Sequence, residues 1–103
     1  MSSGAKITLM DPYRAYEDQI MSQVQVEMAG SMVQKMNIEF RNHRTAENFA
    51  HTMQNAQANV EIFFTLKNGR IARMDPEFYS FKVDDNRVVA SVRTALPGYD
   101  QAG

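Results

Sequence analysis

The chain has no cysteine, no long apolar run and no block of like charge, and each absence removes a class of protein. Without cysteine there is no disulfide framework, no thiolate metal site and no cysteine nucleophile. No apolar stretch approaches the roughly 20 residues needed to cross a bilayer, and the opening Met-Ser-Ser-Gly-Ala-Lys lacks a signal-peptide core. The expectation is a cytoplasmic protein with no membrane segment. The formal net charge is −1 with the cations dispersed, so electrostatics give little reason to expect tight nucleic-acid binding.

What is present is one ordinary globular domain. At 103 residues, 44% hydrophobic and 22% charged, it can bury a single core without staples. The most legible stretch is 60–94, which reads as two β-hairpins in series. In the first, Asn68-Gly69 suits a two-residue type I′ turn, because both residues tolerate positive φ. That turn pairs Leu66 with Ile71, Phe64 with Arg73 and Phe63 with Met74. Neither face is then cleanly polar, which predicts partial cover on both sides.

The second hairpin turns at Asp85-Asn86. Val83 meets Val88, Phe81 meets Ala90 and Tyr79 meets Val92 on an apolar face. Lys82 meets Val89, Ser80 meets Ser91 and Phe78 meets Arg93 on a wetter one. A one-residue slip would expose the apolar set, so the register is well specified. Pro76 cannot donate to a ladder, which makes Asp75-Pro76-Glu77 a corner, bulge or strand end.

Upstream, Met36, Ile38 and Phe40 alternate in a strand over 32–41. Thr45 reads as the N-cap of a helix whose buried stripe is Ala46, Phe49, Ala50, Met53 and Ala56. Asp11-Pro12 is a good helix start, and Tyr13, Tyr16, Ile20, Val24 and Met28 follow at helical spacing with Gly30 as a stop, predicting a helix over 12–29. Val24, Val26 and Met28 also alternate as a strand would, so a short helix followed by a strand from about Ile20 is the competing reading. Residues 1–5 and 97–103 read as flexible ends of a domain over 6–96.

The predicted fold is a single α+β domain: an antiparallel sheet of four to five strands (32–41, 60–67, 70–74, 78–84 and 87–95) with one or two helices packed on one face. This order loosely resembles cone-shaped cystatin-like domains, in which a curved sheet wraps a helix. The resemblance rests on element order without any motif, and fold analogy does not assign a function.

Local chemistry is sparse. His43, Glu47 and His51 would share one face of a continuous helix, but a helix capped by Thr45 leaves His43 outside it, and the spacing is not that of a zinc motif. No metal and no cofactor is expected. Arg41, His43 and Arg44 form the one local basic cluster, a candidate anion site ahead of a helix. Asp84 and Asp85 are better explained by turn preference than by acid–base work.

Methionine is abundant, eight in all, and Met10, Met21, Met28, Met32 and Met36 fall within residues 10–36. Methionine fills cores, and it is also over-used on adaptable binding surfaces. Met21, Val26, Met28 and Met32, together with Phe63, Arg70, Arg73 and Phe78 on the hairpins, are the expected partner-binding residues. The leading expectation is a non-catalytic interaction module, self-associating as a dimer, that binds or blocks a protein partner of unknown identity. Accessory subunits and the small inhibitors of phages and mobile elements have this profile.

Two other classes compete. One is a small-molecule-binding or enzymatic cone with Tyr79, His51 or Asp75 reaching into an apolar pocket. The other is a weak single-stranded nucleic-acid binder using Arg41, Arg44, Lys67, Arg70 and Arg73 with Phe63 as a stacking platform, for which those cations must converge.

Overall fold

The computed structural model describes residues 2–55 and 60–93. Seven strands are formed: β1 (Ser2–Leu9), β2 (Val24–Ala29), β3 (Met32–Glu39), β4 (Ile62–Leu66), β5 (Ile71–Met74), β6 (Tyr79–Asp84) and β7 (Arg87–Val92). They make one antiparallel sheet in the order β5-β4-β1-β2-β3-β7-β6. One α-helix, α1 (His43–Asn55), and short 3₁₀ segments at Tyr13–Gln19 and Pro76–Phe78 join them. The sheet curls: β5, at one end of the order, comes back against β3, while α1 packs on β6 and β7 at the other end.

Strand alternation decides what the curl encloses. Ala5, Ile7 and Leu9 of β1 point inward while Lys6 and Thr8 are exposed, and the same period runs through Val24 and Val26 on β2. Val33, Met36, Ile38, Ile62, Phe64, Ala72, Met74, Tyr79, Phe81, Val88 and Ala90 complete the strand contribution. Helix α1 presents Ala46, Phe49, Ala50 and Met53 to this interior, four of the five stripe positions read from the sequence; Ala56 lies outside the described residues.

The strands at 32–41, 60–67, 70–74 and 78–84 and the described part of 87–95 stand where the pattern puts them. The sheet has seven strands, not four or five, because β1 and β2 join it. Residues 2–5, read as a loose end, are the first half of β1 and pair with Val24–Glu27. The second half, Ala5–Leu9, pairs with β4. A short run with only three apolar positions looks like a tail until both its neighbours are known. Residues 97–103, read as the other loose end, lie outside the described residues.

The helix over 12–29 does not form. Only a 3₁₀ segment over Tyr13–Gln19 is made, Ile20 bridges to Phe40, and the chain then enters β2 at Val24, close to the competing reading of a strand from about Ile20. β-Branched Val24 and Val26 prefer a pleated surface, and pairing on both edges of β2 outweighs the helical spacing of Tyr13, Tyr16 and Ile20. Glu17, on the 3₁₀ segment, accepts the backbone N–H of Leu9 at 2.7 Å and closes the end of β1. Gly30 does turn the chain, but between β2 and β3, at φ 64°.

The second hairpin has the predicted register throughout, with Asp85 at φ 57° in its turn. The first is shifted by one residue. Gly69 N–H donates to Leu66 O (2.9 Å) and Leu66 N–H donates to Arg70 O (2.8 Å), so Lys67-Asn68-Gly69 is a three-residue loop. The left-handed conformation falls on Gly69, at φ 87°. This is a type I turn followed by a bulged glycine, the next commonest hairpin closure after two-residue turns. Phe64 therefore meets Ala72, Ile62 meets Met74, Thr65 meets Ile71 and Phe63 meets Arg73. Both strands now separate cleanly: Ile62, Phe64, Ala72 and Met74 are buried, while Thr65, Ile71 and Arg73 face out beside half-buried Phe63.

Candidate interaction surface

Two hairpin tips meet at one end of the molecule. The β2–β3 turn brings Gly30 and Ser31, and the β4–β5 loop brings Lys67, Asn68 and Arg70. An open groove of about 370 Å³ lies between them. Half-buried Met28 and Leu66 and exposed Ile71 give it apolar walls. Ile71 is 70% exposed and Met32, beside the same turn, 46%. Lys67 and Arg70 rim the groove and make no ion pair among the described residues.

The structure gathers some of the predicted partner-binding residues here and disperses the rest. Met28 and Arg70 line the groove, whereas Met32, which begins β3, is not among its lining residues. Met21 stands apart, 56% exposed, with its N–H donated to Glu39 O at 2.8 Å. Phe63 and Arg73 sit across from each other on the outer face, where Arg73 is bound at 3.2 Å by both Glu61 and Asp75. Phe78 packs partly buried against the core.

Val26 is a correction: it is fully buried inside the sheet and offers nothing to a partner. On a helix it would have widened the apolar face, but on β2 it points inward. Ile71, Leu66 and Lys67 were missed as groove residues. The two-residue turn assigns Ile71 to the Phe64 face, and only a Lys-Asn-Gly loop closed by a bulged glycine turns it outward.

The basic cluster sits at the start of α1. Asn42, not Thr45, caps this helix: its Oδ1 accepts the Thr45 N–H at 2.8 Å, and its carbonyl accepts the Ala46 N–H. His43 is therefore the first helical residue, one turn before Glu47. Its Nε2 lies 3.3 Å from Glu47 Oε2 and its Nδ1 2.6 Å from Asp85 O. His51 instead turns to Asn55, and no group of three or more His, Asp or Glu is arranged to hold a metal among the described residues. Arg41 Nε reaches Asp18 O at 3.4 Å, and Arg44 is exposed.

Two acceptors on two ring nitrogens require both nitrogens to donate, which only the imidazolium does. The Asp85 carbonyl first and the Glu47 carboxylate second raise the His43 pKa above its ordinary 6.5. A group raised on folding stabilises fully below its unfolded pKa and loses that contribution as pH rises through its folded pKa. Stability of the wild type relative to His43→Gln is thus expected to fall as pH rises above 6.5. Denaturant midpoints of both proteins at successive pH values, with the His43 ring followed by NMR, check it. Parallel curves would show that the clip is not made.

Among the described residues, those named for an enclosed pocket do not share one of the grooves found. The Tyr79 hydroxyl donates to Val33 O, and burial first and the nearby Asp75 second push its pKa up to about 12. His51 is exposed on α1, and Asp75 is held by Arg73. None of them lines the groove between the tips or the second groove of similar size beside Lys6, Glu17, Ile20 and Gln23. Comparison of the chain with protein-family models, with curated proteins and with solved structures finds no match.

Proposed function

We propose that the chain is a non-catalytic interaction module that self-associates and acts by binding or blocking a protein partner, as an accessory subunit or a small inhibitor does. The observation that carries this reading is the groove between the β2–β3 and β4–β5 tips. Single exposed apolar side chains are ordinary, but here Ile71 lines one groove with half-buried Met28 and Leu66 and with Lys67 and Arg70, which make no ion pair among the described residues. Contiguous apolar surface with a polar rim is what protein-binding sites present.

The other classes have less to stand on. Tyr79 spends its hydroxyl on the backbone, and its pKa near 12 keeps it from acid–base work at neutral pH. For nucleic acid the cations must converge, yet Lys67 and Arg70 lie by the turn that begins β3 while Arg41 and Arg44 follow its other end. Eight residues of strand separate those ends by roughly 23 Å, at about 3.3 Å per step.

Affinity purification at moderate salt tests the proposal. The wild type is expected to retain a defined protein that Ile71→Asp does not. Recovery of a metabolite instead, or of nucleic acid that leaves as salt rises, would overturn it.

A further inference from the structure

We infer that Asn68 is a site of spontaneous covalent modification. Its side chain cyclises onto the Gly69 nitrogen, releases ammonia and leaves a carboxylate between Lys67 and Arg70 on the rim of the groove. The inference stands apart from the partner reading above, since it needs only the β4–β5 loop.

The residue pair sets the chemistry. No other asparagine of the chain precedes a glycine, and glycine alone puts no Cβ in the way of a nitrogen that must close on the preceding side chain. Asn68 and Gly69 are both exposed at the tip, with open space where a Gly69 side chain would stand.

The fold acts on both reacting groups. Arg70 N–H donates to Asn68 Oδ1 at 2.9 Å. That bond folds the amide back over Gly69 and aims a donor at the oxygen on which charge develops when Cγ is attacked. The nucleophile is restrained instead: Gly69 N–H donates to Leu66 O at 2.9 Å, and this bond must open before the nitrogen loses its proton. It lies at the end of an exposed hairpin, where local opening costs least.

The step balances with water as its only co-reactant. The deprotonated Gly69 nitrogen attacks Asn68 Cγ, the new N–Cγ bond closes a cyclic imide, and the Cγ–Nδ2 bond breaks. Nδ2 takes up a proton and leaves as ammonia. Solvent water then opens the imide at either carbonyl. Opening at Cγ gives aspartate, and opening at the main-chain carbonyl gives isoaspartate, with the backbone routed through the side chain. Either product makes the protein one charge more negative. Isoaspartate also lengthens a loop whose closure by a bulged glycine depends on its length.

The other placed asparagines differ. Asn42 caps α1 and Asn86 Nδ2 donates to Phe40 O at 2.8 Å, and each precedes a bulky residue, His43 or Arg87. Asn37 and Asn48 lie within β3 and α1, whose regular backbone a closing ring would have to break.

The test is to incubate the full chain near neutral pH and one unit higher, then cut it after glutamate under mildly acidic conditions that stall cyclisation. The fragment 62–77, between the cuts at Glu61 and Glu77, holds Asn68 as its only side-chain amide. Mass spectrometry is expected to find the amide-to-acid mass gain there, with isoaspartate and aspartate both present. The gain should grow about tenfold faster per pH unit, because only the deprotonated nitrogen attacks. Asn68→Gln, whose longer side chain must close a larger ring, should gain no mass over the same period. No gain at Asn68 in the intact chain would overturn the inference, and a gain in the excised fragment alone would assign the protection to the folded loop. Aspartate without isoaspartate would replace cyclisation by direct hydrolysis. Equal gain at Asn48 or Asn86 would remove the selectivity that Gly69 and Arg70 confer.

Discussion

Phe49→Ala is expected to remove about 3–5 kcal/mol of stability, the usual cost of emptying a large aromatic site in a packed core. A domain of this length has roughly 5–15 kcal/mol in total, so the variant should sit near the limit of folding. Phe49 is fully buried on α1. Its ring meets Tyr16 at 5.2 Å edge-on, Phe40 at 5.1 Å tilted and Phe81 at 6.5 Å edge-on. Those three rings come from the 3₁₀ segment, the residue just after β3 and β6, so one side chain ties the helix to parts of the chain far apart in sequence.

Each such aromatic pair adds about 0.5–1.5 kcal/mol beyond the area it buries. The melting temperature should therefore fall by roughly 15–30 °C. Phe49→Leu, which keeps most of the volume, should lose well under half as much. Urea denaturation of the three proteins measures this, and a Phe49→Ala loss below about 1.5 kcal/mol would mean that the site collapses or that α1 is not docked as described.

The parts of this fold that were legible in the sequence are those where one local pattern decides the outcome. The β6–β7 register follows from Val83, Phe81 and Tyr79 alternating against Val88, Ala90 and Val92, with no rival arrangement that buries them. The α1 stripe follows from helical spacing alone. Where two local patterns compete, tertiary partners settle the matter, and the chain cannot show them in advance. Residues 24–28 fit helix and strand equally well until β1 and β3 flank them, and β1 itself has too little pattern to announce a strand.

The start of α1 was misplaced by a different route. Asn42 and Thr45 both cap well, and the choice of Asn42 brings His43 onto the helix and against Glu47 and Asp85. The groove was only half visible, because its most exposed residue depends on one residue of loop length. Lys67-Asn68-Gly69 rather than Asn68-Gly69 closes the first hairpin, and every side chain of β5 changes face as a result.

That dependence makes β5 the place for the sharpest test. Ala72 is 5% exposed and shares the inner face with Phe64, whereas neighbouring Ile71 is turned to solvent. Ala72→Asp places a carboxylate in the core with no partner, and an uncompensated buried charge costs about 3–5 kcal/mol. The variant is expected to unfold at low urea, or to fold only under acid conditions in which that carboxyl is protonated. Ile71→Asp introduces the same charge and changes bulk by more, yet should leave stability within about 0.5 kcal/mol of wild type in dilute solution, as surface substitutions do.

With a two-residue turn at Asn68-Gly69 the outcomes would reverse, since Ile71 would join Phe64 inside and Ala72 would face out. Denaturant midpoints of these two variants, one residue apart, therefore read the register directly. A stable Ala72→Asp beside an unfolded Ile71→Asp would replace the three-residue loop with the two-residue one and turn Ile71 away from the groove.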